Sequence, residues 1–154
     1  MNISPLTKVI LIASIVLISI GFIFTQFQQF SQDSSLNDWN SGLSGFITSM
    51  EEQRDSNKPI ALFFYTDWCP NCKKLREDIL SSPEVRALMT QWIPVKINPE
   101  NGPLENQLAE EFGVFGYPTF IVLPGGDEKP VLIRKTSNIS PAEFVEQCRQ
   151  ALAT

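Results

Sequence analysis

The period of the apolar positions changes several times along the chain. Over residues 9–24 (VILIASIVLISIGFIF) they are nearly continuous, and no charged residue occurs from 9 to 32. Extended to Pro5 and Phe27, this stretch meets the roughly 17–25 residues that a membrane-spanning helix needs. Residues 26–40 (QFQQFSQDSSLNDWN) turn polar, as a tether does. Trp39, Leu43, Phe46, Ile47 and Met50 then recur at helical spacing, which predicts an amphipathic helix over 39–54, broken at Asn57-Lys58-Pro59. Residues 60–65 (IALFFY) form an unbroken apolar run of strand length, the pattern of a strand covered on both faces.

Cys69-Pro70-Asn71-Cys72 follows and leads into a predicted helix over 73–80. Ser81-Ser82-Pro83-Glu84 restarts a helix, with Ser81 or Ser82 as cap and Pro83 at the first helical position. Residues 92–98 (WIPVKIN) alternate as a second strand. Residues 103–112 read as a helix ended by Gly113, and 119–123 (TFIVL) as a third strand. Gly125-Gly126-Asp127 turns the chain, and 130–134 returns as a hairpin partner. Ser140-Pro141-Ala142-Glu143 is a capping box that opens a last helix, with Phe144, Val145, Cys148 and Leu152 on one face. Alternating strands and helices imply a parallel core with crossover helices, to which the hairpin adds an antiparallel strand. The predicted class is α/β, a central mixed β-sheet flanked by helices. The organisation is an N-terminal transmembrane anchor (1–30), a tether (31–38) and one domain (39–154).

Charge orients the anchor. Lys8 and the N-terminus precede the apolar run, and the next Lys or Arg is Arg54. The positive-inside rule puts the N-terminus in the cytoplasm and the domain in the periplasm or an equivalent extracytoplasmic compartment, in a single pass. A cleaved signal peptide is the rival reading. Phe24-Thr25-Gln26-Phe27-Gln28 offers no small-x-small cleavage site, which favours an uncleaved signal anchor. A core helix would not be apolar all round beside so small a domain.

Composition narrows the chemistry. The 154 residues, 43% hydrophobic, suit one domain plus an appendage. A net charge of −5 with no like-charge block gives no footprint for nucleic acid. The absence of histidine excludes His-based triads and His metal ligands, and three cysteines are too few for a disulfide-stapled miniprotein.

The cysteine pair sits where a buried strand meets a helix. There a Cys69 thiolate would face unpaired backbone N–H groups and the positive end of the helix dipole, which lower its pKa and make it the nucleophile. Pro70 fits the first helical position without losing a hydrogen bond. Cys72, three residues on, lies near the same face and can attack a mixed disulfide formed at Cys69. Lys73 adds positive charge nearby. A zinc site, a static structural disulfide and a chance pair of buried cysteines are the plainer readings. Zinc needs about four ligands, and without histidine only Cys148 and carboxylates remain. Cys148 itself reads as core, on the apolar face of the last helix. Asn138-Ile139-Ser140 matches a glycosylation acceptor, a triplet common by chance.

Trp68-Cys69-Pro70-Asn71-Cys72-Lys73 resembles the active-site W-C-x-x-C-K of thioredoxins, and Phe115-Gly116-Tyr117-Pro118-Thr119 resembles the segment of that family that carries a cis-proline. The match covers about residues 36–152. Asp67-Trp68-Cys69, the Ser-Pro-Glu helix restart and Lys96-Ile97-Asn98 resemble in particular the C-terminal thioredoxin domain of DsbD-like membrane disulfide reductases. The resemblance implies a thioredoxin fold and a reductase-type thiol–disulfide oxidoreductase. It also implies a redox-active Cys69–Cys72 disulfide and no other cofactor or metal. Cys69 attacks, Cys72 resolves, Trp68 shields the pair, and a cis Pro118 with Tyr117 orients the substrate; Pro70, Asn71, Lys73 and Lys96 support them. Partners would be protein thiol or disulfide substrates and a membrane electron donor. Two positions depart from the family pattern. Phe63 stands where the family has a buried aspartate, which leaves Lys96 without that partner, and the family's late glycine is matched by Ser137 or Asn138. A disulfide-forming oxidase and a noncatalytic thioredoxin-fold binding or assembly module are the alternative functions.

Overall fold

The computed structural model describes residues 18–19, 36–126 and 128–153. The predicted anchor, apart from residues 18–19, and residues 31–35 of the tether lie outside the described residues. Among the described residues no helix is long and apolar enough to cross a membrane. The chain divides into units 1–34 and 35–154, and the second carries the fold.

The elements in order are β1 (Asn40–Ser41), α1 (Gly42–Ser56), β2 (Ile60–Phe64), α2 (Pro70–Lys74), α3 (Pro83–Met89), β3 (Ile93–Ile97), α4 (Pro103–Glu111), β4 (Thr119–Leu123), β5 (Val131–Leu132) and α5 (Pro141–Gln150). A π-helical stretch, Leu75–Leu80, prolongs α2, and a 3-10 turn, Pro99–Asn101, follows β3. The sheet order is β1-β3-β2-β4-β5. β1 and β2 run parallel to β3, whereas β4 runs antiparallel to β2 and β5 to β4. The parallel core is therefore smaller than the alternation of elements implied, because β4 itself enters reversed.

Register explains what this reversal achieves. Phe64 lies opposite both Ile97 and Thr119. β4 thus begins at the end of the sheet where β2 and β3 finish. The segment leading to Cys69, the Asn98-Pro99-Glu100 turn and the Tyr117-Pro118 dipeptide all emerge at that one end.

β2 is buried at every position, as its unbroken apolar run predicted. Its alternation feeds two cores. Ala61 and Phe63 join Trp39, Phe120, Val122, Phe144 and the cysteines on one face. Ile60, Leu62 and Phe64 join Ile93, Val95, Ile97 and Leu108 on the other.

Three expectations are corrected. Trp39 is not on the first helix: α1 starts at Gly42, and Asn40–Ser41 pairs with β3 instead. Gly42 makes that junction with φ +65, and a Cβ there would come 3.3 Å from Glu105 Oε1, which itself accepts from the Leu43 N–H. Trp39 accordingly packs edge-on against Phe63 and Phe120 in the opposite core, while Leu43, Phe46 and Met50 pack where the helical pattern put them and Ile47 is exposed. Leu36, assigned to the tether, is buried in the core. Leu152 lies beyond the end of α5 and is exposed; Ala151 fills the core there.

The predicted caps form. The Ser82 hydroxyl accepts from the Val85 N–H at 3.3 Å with Pro83 behind it, and Ser140 and Glu143 make a reciprocal capping box. At the far end of α1, the buried Gln53 amide donates to the carbonyls of Lys58 and Leu123, both at 3.0 Å, tying the helix to β4.

Candidate active site

The chain leaves β2 through Tyr65 and Thr66, and the Cys69 N–H donates to the Thr66 carbonyl at 3.3 Å. This turn makes Cys69 the N-cap of α2, with Pro70 next in the helix. Its sulfur accepts from the Cys72 N–H at 3.1 Å, and its carbonyl accepts from the Lys73 N–H at 3.1 Å. Cys69 and Cys72 are joined in a disulfide, with Cα atoms 5.2 Å apart. Both are buried, so exposure does not distinguish them; position does. Only the Cys69 sulfur holds the cap position, where helix N–H groups and dipole favour a thiolate.

Trp68 precedes the cysteine pair on the same loop. It is 68% exposed, and its indole Nε1 donates to Glu100 Oε1 at 2.9 Å. Lys73 points its ammonium to Glu77, one turn along the helix, at 3.8 Å. That exposed ion pair contributes under about 1 kcal/mol. Asn71 lines a small concavity of about 100 Å³ with Thr136, Ser137 and Asn138. Asn138 has φ 56, in the left-handed region that favours glycine and admits asparagine.

The Tyr117–Pro118 peptide bond is cis. Tyr117 packs against both cores, and its phenol pKa is raised, first by burial and then by the Glu100 carboxylate. Glu100 thus stands between Trp68, from the cysteine loop, and Tyr117, from the loop before β4. A second tie joins the cysteine loop to the turn after β3. Buried Asn98 donates to Asp67 Oδ2 at 3.3 Å and accepts from the Glu100 N–H at 3.0 Å. Sequence reasoning missed Glu100 as a site residue. Its signal was position, directly after a strand of the parallel core, where α/β sheets gather functional groups.

In the same core as the cysteines, Phe63 is fully buried and stacks on Tyr65 at 5.4 Å, beside Trp39 and Phe120. Tyr65 has its pKa raised by burial and by Asp67, against an opposing effect of Arg76. Lys96 lies opposite Phe63 in the sheet, and its ammonium donates to the Leu36 carbonyl at 2.9 Å. Lys96 thus faces Phe63 where the family has an aspartate, and the backbone entering the domain accepts from its ammonium instead. Cys148 is buried, and burial pushes its thiol pKa up to about 12, so it is an inert core group. Among the described residues no group of three His, Cys, Asp or Glu side chains is placed to hold a metal ion.

A family model described as a thioredoxin-like domain matches residues 46–152. Thiol:disulfide interchange protein DsbD 1 of Pseudomonas aeruginosa is 31% identical over 105 residues, covering 67% of this chain and 18% of that protein. DsbD of Neisseria meningitidis is 32% identical over 105 residues, covering 66% of this chain and 17% of that protein. The chain therefore spans under a fifth of the length of these curated relatives. The C-terminal domain of Neisseria meningitidis DsbD in its oxidised form matches with a TM-score of 0.57 at 26% identity, covering 73% of this chain and 98% of that one.

Proposed function

The chain belongs to the thioredoxin-like domain family, and from that premise we propose that it is a membrane-anchored, extracytoplasmic thiol–disulfide oxidoreductase of reductase type. The observation that carries the reading is Cys69 at the cap of α2 with its sulfur accepting the Cys72 N–H. In the reduced protein this position favours the Cys69 thiolate. The thiolate attacks one sulfur of a client disulfide, forming a mixed disulfide and releasing the other client sulfur as a thiolate. Cys72 then loses its proton and attacks the Cys69 sulfur. The Cys69–Cys72 disulfide forms, and the client leaves with both thiols and two electrons.

Trp68, Tyr117 and Pro118 border the place where the client lies. The Tyr117 backbone is suited to pair with an extended client segment. Pro70 and Asn71 shape the helix start, and Lys73 and Lys96 are supporting residues. The exchange needs no cofactor or metal beyond the cysteine pair, which is re-reduced by a membrane electron donor. The apolar run of 9–24, with Lys8 before it and no Lys or Arg until Arg54, supports the anchor and the extracytoplasmic side. Residues 39–154, with Leu36 joining their core, form the catalytic domain.

Turnover tests the reading. The reduced protein should convert a disulfide-bonded model peptide to its dithiol, and a redox titration of the pair should place it among reductants. A pair that titrates as a strong oxidant makes the protein a disulfide-forming oxidase. Absence of turnover would leave a noncatalytic binding module.

A further inference from the structure

Next to the cysteine end of the sheet lies a second concavity of about 470 Å³, between the loop that precedes β4 and the edge strand β5. Its walls include Phe112, Phe115, Tyr117, Pro118 and Leu132, and no residue that lines it carries a charge, in a chain of net charge −5. Phe115 is 100% exposed and Leu132 55% exposed. Large apolar side chains held in water beside an apolar groove mark a surface that something covers.

Two observations indicate what covers it. Tyr117 lines this groove and is also influenced by Glu100, which accepts from Trp68 next to Cys69, so the groove adjoins the cysteine site. Phe115 is two residues from Tyr117, which places their Cα atoms within about 7 Å. An extended polypeptide that passes Tyr117 advances about 3.3 Å per residue and reaches the groove two or three residues later. The uncharged walls carry no Lys or Arg of the kind that draws a protein onto an anionic membrane surface.

We propose that this groove receives one apolar side chain, of leucine or phenylalanine size, carried two to four residues from the exchanging cysteine of an extended client polypeptide. The inference rests on the disulfide-exchange reading and adds a specificity to it. Clients would be selected by apolar sequence flanking the cysteine, and Phe115 and Leu132 would be the residues that select.

The test uses the full-length reduced chain and two disulfide-bonded peptides that differ only in Leu or Ser three residues from the attacked cysteine. Hydroxyethyl disulfide, which has no side chain to dock, is the reference. The wild-type protein should prefer the leucine peptide by on the order of tenfold in kcat/KM, mainly through KM. Phe115→Ser changes a fully exposed side chain and Leu132→Ser a half-exposed one; each should bring the leucine-to-serine ratio to about one. A ratio near one in the wild type, or a preference kept by both variants, overturns the proposal. So does a wild-type dimer that Phe115→Ser abolishes when no peptide preference is seen, because the groove then serves a second copy. If hydroxyethyl disulfide is reduced and the peptides are not distinguished, the groove proposal alone fails. If nothing is reduced, the exchange reading fails with it.

Discussion

The Trp68 indole donates to the Glu100 carboxylate at 2.9 Å, joining residues 32 apart in the chain. This bond ties the loop that carries the cysteines to the turn after β3, and Glu100 also raises the pKa of Tyr117. Removing it should loosen one side of the site without unfolding the domain. Glu100→Ala is expected to cost under about 1 kcal/mol in a urea titration, since both partners are exposed. Trp39 and Trp92 are buried, so acrylamide quenching reports mainly Trp68, and it should increase in the variant. In a Tyr65→Phe background, alkaline titration of Tyr117 should shift down but stay raised by its burial. Unchanged quenching and an unchanged titration would mean that Glu100 does not act on either ring.

Cys148 gives the stability a dependence on pH. Burial raises its thiol pKa to about 12 in the folded chain, above the ordinary value near 9. A raised pKa means that the folded state keeps a proton that the unfolded state releases. Its contribution is complete below about pH 9 and is lost as pH climbs toward 12. Between pH 8 and 10.5 the wild-type protein should lose about 2 kcal/mol more than Cys148→Ala does, with the Cys69–Cys72 disulfide kept intact. Urea midpoints at the two pH values check this, and parallel losses in the two proteins would refute it.

Phe63 separates folding from proton transfer. Phe63→Asp removes a fully buried ring and puts a carboxylate opposite Lys96, at a cost of more than about 3 kcal/mol. In molecules that remain folded, the new carboxylate can take a proton from Cys72, so the resolving step should change more than the first attack. Phe63→Leu, which adds no acid, should leave the ratio of the two steps as in the wild type. Stopped-flow traces in which Phe63→Asp alters neither step would sink the relay argument.

Much of this arrangement was legible in the sequence. β2 and β4 were readable because each contains an unbroken run of four or more apolar residues, and the caps at Ser82 and Ser140 because the partner lies three residues on. The cysteine pair was readable because strand, tryptophan, proline and helix start occur in fixed order. What escaped was non-local or too short. β1 has two residues, too few to display a period, and its neighbour Trp39 fell by coincidence on the helical spacing of 43, 46 and 50. The reversal of β4 is decided by which end of the sheet the chain returns to, not by any residue in the strand. Glu100 gives no local sign of its tie to Trp68, because that partner is on another loop.

Topology is testable in cells. If residues 9–24 anchor the chain with the domain outside, an impermeant thiol reagent should label Cys69 in intact spheroplasts after gentle reduction. Labelling that appears only after lysis would reverse the orientation.

The exchange itself is tested most directly by trapping. The account assigns attack to Cys69 and release to Cys72, and it excludes Cys148 as a substitute because that thiol is buried and held neutral. Cys72→Ser should therefore accumulate covalent adducts through Cys69, both in vivo and with a model disulfide. Non-reducing gels followed by mass analysis of the bands should find partners that carry cysteines and lie outside the cytoplasm. The bands should vanish with reductant and be absent from Cys69→Ser. A folded Cys72→Ser protein with no reducible adduct, in cells or with the model disulfide, would contradict the account.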